Sequence, residues 1–573
     1  MTVRNMNIPH LRDVHGSKQL IVDGHPFLLL GAELQNSSLT SADYMQSVWP
    51  KLAAANINTV LGCVTWEQIE AEEGKFNFEE LDRVIADARL HKLKLVLLWF
   101  GSFKNGLSTY TPSWVKLDTK RFPRAQLRKA GGRLETADVL SIFGTEAQKA
   151  DTKAFRGLMN HLQQVDEKYS TVIMVQVENE IGLLGDSRDG GALAEKAFSE
   201  PVPDALIKQL HDSWDVLHPD LKANLAHFHS VKSTSGKSWI EIFGTSAHTD
   251  ELFMAYHYTL YVEQVASAGQ EAYRLPLYTN VWQNYMGDDS ENPFPAIVGG
   301  GGAPGDYPSG GAVTNVIDIW QEFAPSLDFI SPDVYLNNYS KSCAHYRHRN
   351  NPLFIPEQRR DEHGARRIWA AYGTYGALGC SPFGIDTLNL EGNPFRRHYG
   401  LLKTVSQHVL AAQTRPGSSY GFYFDEQPRD PLRRDPTPPH NIVLGNFELE
   451  IKRSFVFGHP APGFGMVIHL SDAAENRSRY LLIGFGFQVT FKSTSSKATF
   501  SGILSFEEKE PMNVDGKQVL KTARMLNGDE TRSGKFVIMP SDDPDYGDFP
   551  ICVTIPGRTG VAECEAYAIL GGN

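Results

Sequence analysis

Residues Thr171–Gly182 read TVIMVQVENEIG. The run Val172-Ile173-Met174-Val175 is apolar and rich in β-branched side chains, the pattern of a strand buried on both faces. It then delivers Gln176, Glu178, Asn179 and Glu180 within five positions. Carboxylates at the emergence of a buried strand are costly, because a low dielectric disfavours their charged form. At the C-terminal end of a barrel strand, such residues read as catalytic. The plainer alternative is a strand running into a solvated loop, and a second acid elsewhere in the chain is needed to choose between them.

Outward from this stretch, short apolar runs alternate with helical patterns up to about residue 410. The strand candidates are Phe27–Leu34, Asn58–Val64, Leu93–Phe100, Thr171–Val177, Leu275–Asn280, Leu327–Asp333, Pro352–Glu357 and Ala377–Ile385. Helical patterns fall at Ser41–Ala55, Phe78–His91, Thr145–Lys168, Glu251–Tyr273 and Glu362–Gly373. Eight strands alternating with helices predict an α/β fold, a (β/α)8 TIM barrel with right-handed crossovers. Long loops are expected after strands four and five, at 183–250 and 287–312. The second includes Gly299–Gly311, GGGGAPGDYPSGG, which reads as a mobile loop; a phosphate cradle would need a preceding strand, a following helix and a lysine.

Near residue 415 the pattern changes. Tyr420–His440 holds five prolines and the run RDPLRRDPTPPH, as in a linker or a wrap. Beyond it, Asn446–Phe457, Gly465–Leu470, Tyr480–Phe491, Ala498–Phe506, Lys535–Met539 and Ile551–Ile555 alternate apolar and polar residues. Turn residues punctuate them, including Asp515-Gly516 and Asn527-Gly528. The expected organisation is therefore a catalytic barrel over 1–412, a Pro-rich linker over 413–440, and a C-terminal antiparallel β-sandwich over 441–573.

Composition excludes several classes. With 573 residues, 41% hydrophobic and 11% aromatic, the chain is globular and long enough for more than one domain. A net charge of −12 argues against nucleic acid as a partner, since phosphate-backbone binding needs a concentrated basic face. No apolar run reaches the roughly 20 residues of a membrane span. The first residues, MTVRNMNIPHLRDVHG, lack an apolar signal core, which predicts a cytoplasmic protein, or a secreted one whose leader has been removed. The five cysteines form no CxxC pair, so a zinc site on cysteine is not expected. His227, His248 and His257 are scattered and read as structural or rim residues.

The chemistry should gather where the eight strands end. Those ends offer Glu33, Trp66, Glu70, Trp99, Asn105, Asn179, Asn280, Trp282, Tyr335 and Asp386, with Glu178 and Glu180 after strand four and Glu357 after strand seven. Aromatic rings stack on the apolar faces of sugars, and acids and amides hydrogen-bond their hydroxyls. The inventory is that of a carbohydrate pocket. Histidine and cysteine are nearly absent from it, so neither metal nor organic cofactor is expected. Glu180 and Glu357 are the candidate catalytic pair. Glycoside hydrolysis needs one carboxyl to protonate the leaving oxygen and another to attack or to activate water. Strands four and seven lie on roughly opposite sides of the barrel, so both acids can face a sugar held between them. For Glu357 alone, a salt bridge to Arg359, Arg360 or Arg366 is the competing explanation.

Over residues 20–410 the chain resembles glycoside hydrolase family 35, the β-galactosidases, in the clan of (β/α)8 retaining hydrolases. The family's QVENEYG stands here as Gln176-Val177-Glu178-Asn179-Glu180-Ile181-Gly182, and the segment after strand two as Trp66-Glu67-Gln68-Ile69-Glu70-Ala71 followed by Gly74-Lys75-Phe76-Asn77-Phe78. The resemblance implies that Asn179 holds the sugar 2-hydroxyl, Glu180 is the acid/base and Glu357 the nucleophile. It implies a retaining exo-β-galactosidase. The chain departs from the family at strand three, where Leu97–Gly106 replaces a GPYICAEW-like signature, at Ile181, and in its single terminal sandwich. These departures leave the sugar and the aglycone open.

A β-glucosidase, or another exo-β-glycosidase acting on aryl or plant-oligosaccharide glycosides, is the nearest alternative, because galactose and glucose differ only at the C4 hydroxyl. A catalytically inactive sugar-binding barrel is the alternative outside catalysis, and it would expect one of the two acids to be replaced. Assembly into a homo-oligomer is left open by the sequence.

Overall fold

The computed structural model describes residues 8–228, 231, 234–287, 300–389, 391–427, 432, 434–454, 461–514, 517–531, 534–543 and 555–571. All eight expected barrel strands form: β1 (Leu29–Glu33), β2 (Thr59–Thr65), β3 (Lys94–Lys104), β4 (Val172–Asn179), β5 (Leu277–Trp282), β6 (Phe329–Asp333), β7 (Ile355–Gln358) and β8 (Gly379–Pro382). They pair in parallel in the order β6-β5-β4-β3-β2-β1-β8-β7. The ends of that order meet where the Val334 N–H donates to the Glu357 carbonyl at 2.8 Å, which brings the sheet round into a barrel. Its interior is packed with Leu29, Leu61, Val96, Leu98, Ile173, Met174, Tyr278, Phe329 and Phe354. The β-branched run of β4 is wholly buried because helices cover the outside of a parallel barrel.

The helices between strands include α1 (Trp49–Ala54), α2 (Glu79–Leu90), α3 (Thr145–Asp166), α4 (Ala247–Ala272), α5 (Ile317–Phe323), α6 (Tyr339–His345), α7 (Glu362–Gly373) and α8 (Pro394–Gln413). The chain forms two compact units, Met1–Arg12, Leu20–Arg359 and Leu378–Leu390 in one, and Asp13–Gln19, Arg360–Ala377 and Glu391–Asn573 in the other. These units do not follow a single cut at residue 412, since α7 and α8 belong with the second.

Several expectations change. The excursion after β4 is less loop-like than its composition implies, with short helices at Ala192–Ser199, Asp204–Asp212, Pro219–Asn224 and Trp239–Phe243. An antiparallel hairpin, Arg124–Lys129 with Arg133–Leu140, leads into α3. Gly131 and Gly132, both at positive φ (74° and 76°), make its turn. The described part of the second insertion, 300–311, is pinned rather than mobile. Leu183 and Ser309 exchange main-chain hydrogen bonds at 2.9 and 3.0 Å, and Trp320 Nε1 donates to the Gly310 carbonyl at 3.1 Å. Glycine allows close contact on both sides here, since a Cβ on Gly311 would stand 2.3 Å from the Ile181 carbonyl oxygen and one on Gly182 2.4 Å from that of Pro308. Residues 288–299 lie outside the described residues.

In the second unit two antiparallel sheets form a sandwich. Its strands are β9 (Ser419–Phe424), β10 (His440–Leu444), β11 (Phe447–Arg453), β12 (Gly463–Ala474), β13 (Arg477–Phe485), β14 (Phe487–Ser493), β15 (Ala498–Val514), β16 (Lys517–Met525), β17 (Phe536–Met539) and β18 (Val561–Leu570). The six-stranded sheet runs β9-β12-β13-β18-β15-β16 and the four-stranded one β10-β11-β14-β17. Tyr480–Phe491, expected as one strand, breaks at Gly486 (φ 74°), and β13 and β14 go to different sheets. β9 lies inside the stretch expected as a linker. It leads into Asp425, whose carboxylate takes both arms of the Arg367 guanidinium of α7 at 2.7 and 2.9 Å. The expected strand Ile551–Ile555 and the Asp515-Gly516 turn fall almost wholly outside the described residues.

Candidate active site

β4 sends its two glutamates in different directions. Glu178 and Glu180 both adopt left-handed backbone, with φ of 61° and 44°. For non-glycine residues this conformation costs of order 1–3 kcal/mol and concentrates at functional sites. Glu178 turns toward β3, where its carboxyl oxygens accept the main-chain N–H groups of Ser102 and Phe103 at 3.2 and 2.7 Å. Those bonds hold a wide bulge, across which the β3–β4 register jumps from Trp99↔Val177 to Lys104↔Asn179. The bulge carries Lys104 and Asn105 to the mouth of the barrel, which is why β3 extends beyond Phe100.

Glu180 faces a cavity of about 490 Å³ whose lining includes Gln35, Asn36, Lys104, Asn105, Trp282, Gln283, Asp333, Tyr335, Glu357 and Phe383. Carboxylate oxygens of Glu180, Asp333 and Glu357 all lie within 4.8 Å of one another. Asn280 ties the three together. Its Oδ1 accepts the Glu180 main-chain N–H at 2.9 Å, and its Nδ2 donates to Asp333 Oδ2 at 2.7 Å and to Glu357 Oε1 at 3.3 Å. The Tyr335 hydroxyl donates to the other Glu357 oxygen at 2.7 Å. Glu357 is thus fixed by an amide and a phenol, and Arg366, a candidate partner in the sequence, faces Asp425 instead.

Burial, and next to it the charge of Glu357, pushes the Glu180 carboxyl up to about 7, with the Lys104 ammonium opposing. Glu33 and Asp333 are pushed well above the carboxylate range by the same two influences in the same order. Burial acts to lower Lys104, but Glu357, Glu180, Glu33 and Asp333 outweigh it and hold the ammonium charged above its ordinary range. Several buried side-chain atoms at the site have open valences, Gln283 Oε1 and Asp333 Oδ1 among them. Both oxygens of Glu33, and both polar atoms of the Asn179 amide, have no hydrogen-bond partner. A protein rarely buries such atoms without a purpose, so a hydroxyl-rich ligand is a natural complement.

The structure brings Glu180, Glu357, Asn105, Trp282 and Tyr335 to the cavity, with Glu33, Asn179 and Asn280 buried at its strand ends. It places four others in the scaffold. Trp66 Nε1 donates to Glu70 Oε2 at 2.8 Å, and Glu70 also accepts the Gly74 N–H at 2.7 Å. Trp99 Nε1 donates to Asp151 on α3 at 2.9 Å. Asp386 accepts the Gln35 N–H at 3.1 Å and the Ser38 hydroxyl at 2.6 Å, which ties the end of β8 to that of β1. A tryptophan at a strand end turns outward or inward by the local twist, which sequence does not carry. Gln283 is a site residue that sequence reasoning misses, whereas Lys104 and Asp333 stand in the strand-end stretches read from the sequence but are not singled out there. Their signal is position, directly at the ends of β3, β6 and β5.

Residues 40–218 match a family model described as beta-galactosidase (glycosyl hydrolase 42), and residues 395–538 match a domain of unknown function (DUF5597). A rat protein named beta-galactosidase-1-like protein 3 is 26% identical over 196 residues, covering 34% of this chain and 29% of that protein. Among solved structures, the beta-galactosidase from Bacillus circulans sp. alkalophilus is 14% identical with a TM-score of 0.43, covering 67% of this chain and 57% of its own. The beta-galactosidase Gan42B of G. stearothermophilus, solved as a catalytic mutant, is 16% identical with a TM-score of 0.44, covering 68% and 58%. The chain spans less than a third of the length of the rat relative. Residues 40–218 are thus β-galactosidase-like in sequence. The matching model is that of family 42, and a membership of family 35 does not follow from it. Among the described residues, no helix is long and apolar enough to cross a membrane.

Proposed function

We propose that this protein is a retaining exo-β-galactosidase, with Glu180 as acid/base and Glu357 as nucleophile. One observation carries the reading: two buried carboxyls with oxygens within 4.8 Å face a cavity beside the open valences of Glu33 and Asn179. The short separation favours direct attack, since inverting enzymes hold their carboxyls roughly 6.5–9.5 Å apart to admit water. Glu357 attacks the anomeric carbon while Glu180, kept protonated near neutrality, gives its proton to the departing oxygen. Glu180 then takes a proton from the water that cleaves the glycosyl-enzyme. The Tyr335 and Asn280 donors hold the nucleophile in line. The match to the beta-galactosidase model supports galactose as the sugar, and Gln176–Gly182 supports the finer placement in family 35. Asn179 takes the 2-hydroxyl and Glu33 a further hydroxyl of the same ring.

The test is a panel of nitrophenyl glycosides, with the first product anomer followed by NMR. The expected result is hydrolysis of the β-galactoside with the β-anomer formed first. Preference for the β-glucoside transfers the reading to a β-glucosidase, and inactivity on every member leaves a sugar-binding barrel.

A further inference from the structure

Away from the cavity, the excursion after β4 meets α5 and α6 through a cluster of imidazoles and carboxylates. His218 caps the helix Pro219–Asn224 and is 3% exposed. Its ring stands 5.0 Å from that of His345, the last residue of α6, and 5.1 Å from that of His348. Ligand atoms of His218, Asp220 and His345 all lie within 4.8 Å of one another. We infer that His218, Asp220 and His345 form a binding site for a divalent transition metal of the zinc type, which fastens the excursion to α6.

Two nitrogens and one carboxylate oxygen are a donor set that suits zinc and its neighbours and does not suit magnesium or calcium. Bond lengths of 2.0–2.2 Å place two tetrahedral ligand atoms about 3.4 Å apart. His218 Nδ1 and Asp220 Oδ2 are already 3.6 Å apart. The third ligand is waiting, because His345 Nδ1 is buried and has no hydrogen-bond partner. His345 and Asp220 are only partly buried, so both side chains have room to adjust. Coordination at His218 Nδ1 takes over the lone pair that now accepts the Asp220 N–H at a long 3.2 Å. That N–H lies in the first turn of a helix, where such donors can pass to solvent.

The surroundings resemble the outer shell of a metal centre. Asp318, fully buried, accepts the His218 main-chain N–H at 2.8 Å and bonds His348 Nε2 at 2.7 Å, which fixes the backbone at His218 and orients the neighbouring His348 ring. A solvent molecule would complete the coordination on the exposed side.

The experiment uses the full-length protein, stripped with a chelator and desalted, then titrated with Zn(II) and assayed by calorimetry and elemental analysis. One zinc per chain should bind and raise the unfolding midpoint, and Co(II) should give the visible band of a tetrahedral nitrogen–oxygen site. His345→Gln and Asp220→Asn should each lose that zinc and the shift in midpoint. Glu357→Gln should keep both, which separates this site from the three carboxylates of the cavity. No zinc uptake by the unaltered protein overturns the inference. So does uptake that survives both His345→Gln and Asp220→Asn, or that disappears only with Glu357→Gln.

Discussion

Glu178 and Glu180 sit two residues apart on one strand end, and each belongs to a pair of buried carboxyls. Glu178 meets Asp151 of α3, and Glu180 meets Glu357 across the cavity. Burial raises both, and in both the partner's charge is the second cause. What differs is satisfaction. The Asp151–Glu178 pair is closed by the N–H groups of Ser102 and Phe103, the Trp99 indole and the Tyr261 hydroxyl, which leaves no space for a ligand. The Glu180 pair opens onto a cavity with unpartnered atoms beside it. A perturbed acid is therefore no sufficient mark of a reacting group; an open valence beside it is the better one. The closed pair has a structural task, holding the bulge that presents Lys104.

The largest effects should fall on turnover at the open pair. Glu357→Ala should abolish hydrolysis of every substrate. Glu180→Ala should lose about 10²–10⁴-fold on a substrate with a poor leaving group and much less on an activated phenol. Added azide should restore turnover of the activated substrate in Glu180→Ala with a β-glycosyl azide as product. An α-azide from that variant would exchange the two roles.

The closed pair should answer in stability. Glu178→Ala takes the acceptor from two buried main-chain N–H groups, at a cost of about 1–3 kcal/mol for each donor left unsatisfied, read by denaturant unfolding. Glu178→Gln should cost less and keep most of the activity, because the carboxamide oxygen can still accept the Phe103 N–H while its NH2 donates to Asp151, and the Ser102 N–H keeps its bond to Asp151 at 3.2 Å. Glu180→Gln goes the other way. A folded-state value of about 7 against an ordinary 4.5 means that the folded protein keeps a proton the unfolded chain releases. Stability associated with that proton is complete below about 4.5 and lost as pH rises to about 7. Removing the titration should make Glu180→Gln more stable than the parent at about pH 8, by up to roughly 3 kcal/mol, and no more stable at low pH. Equal unfolding midpoints at both pH values would leave Glu180 an ordinary carboxylate and cancel the contrast.

The sequence made the barrel legible because each strand is a compact β-branched run and each helix has its own period. β4 and α7 appear with nearly the expected bounds. The acids of the site were legible for the same reason, as charges where an apolar run stops. What stayed hidden depends on contacts far apart in the chain. The extension of β3 is made by Glu178, some 75 residues away, bonding to Ser102 and Phe103. The closeness of Glu33 to Glu357 follows from barrel closure. The hairpin ahead of α3 was readable, since Gly131-Gly132 lies between two alternating runs. Trp66 and Trp99 misled because an aromatic ring at a strand end fits a sugar and a hydrophobic core equally well.

The smallest effect, a shift along the pH axis, tests whether the two regions are coupled. Lys104 is 8% exposed and reaches the cavity only through the bulge that Glu178 holds. Its ammonium lowers the Glu180 carboxyl against burial and the charge of Glu357. Lys104→Met removes that positive charge, so the ionised form of Glu180 becomes harder to reach and its pKa rises. Glu180 must be protonated for the first step, and the alkaline limb of kcat/KM in the free enzyme reports its ionisation. The limb should therefore move to higher pH in Lys104→Met, whatever happens to the height of the profile through lost sugar contacts. In Glu178→Ala the bulge relaxes and Lys104 withdraws, so the same limb should move in the same direction by a smaller amount. An unmoved limb in Lys104→Met would mean that another group sets it. A limb that moves in Lys104→Met and stays in Glu178→Ala would mean that the bulge keeps its place without the closed pair.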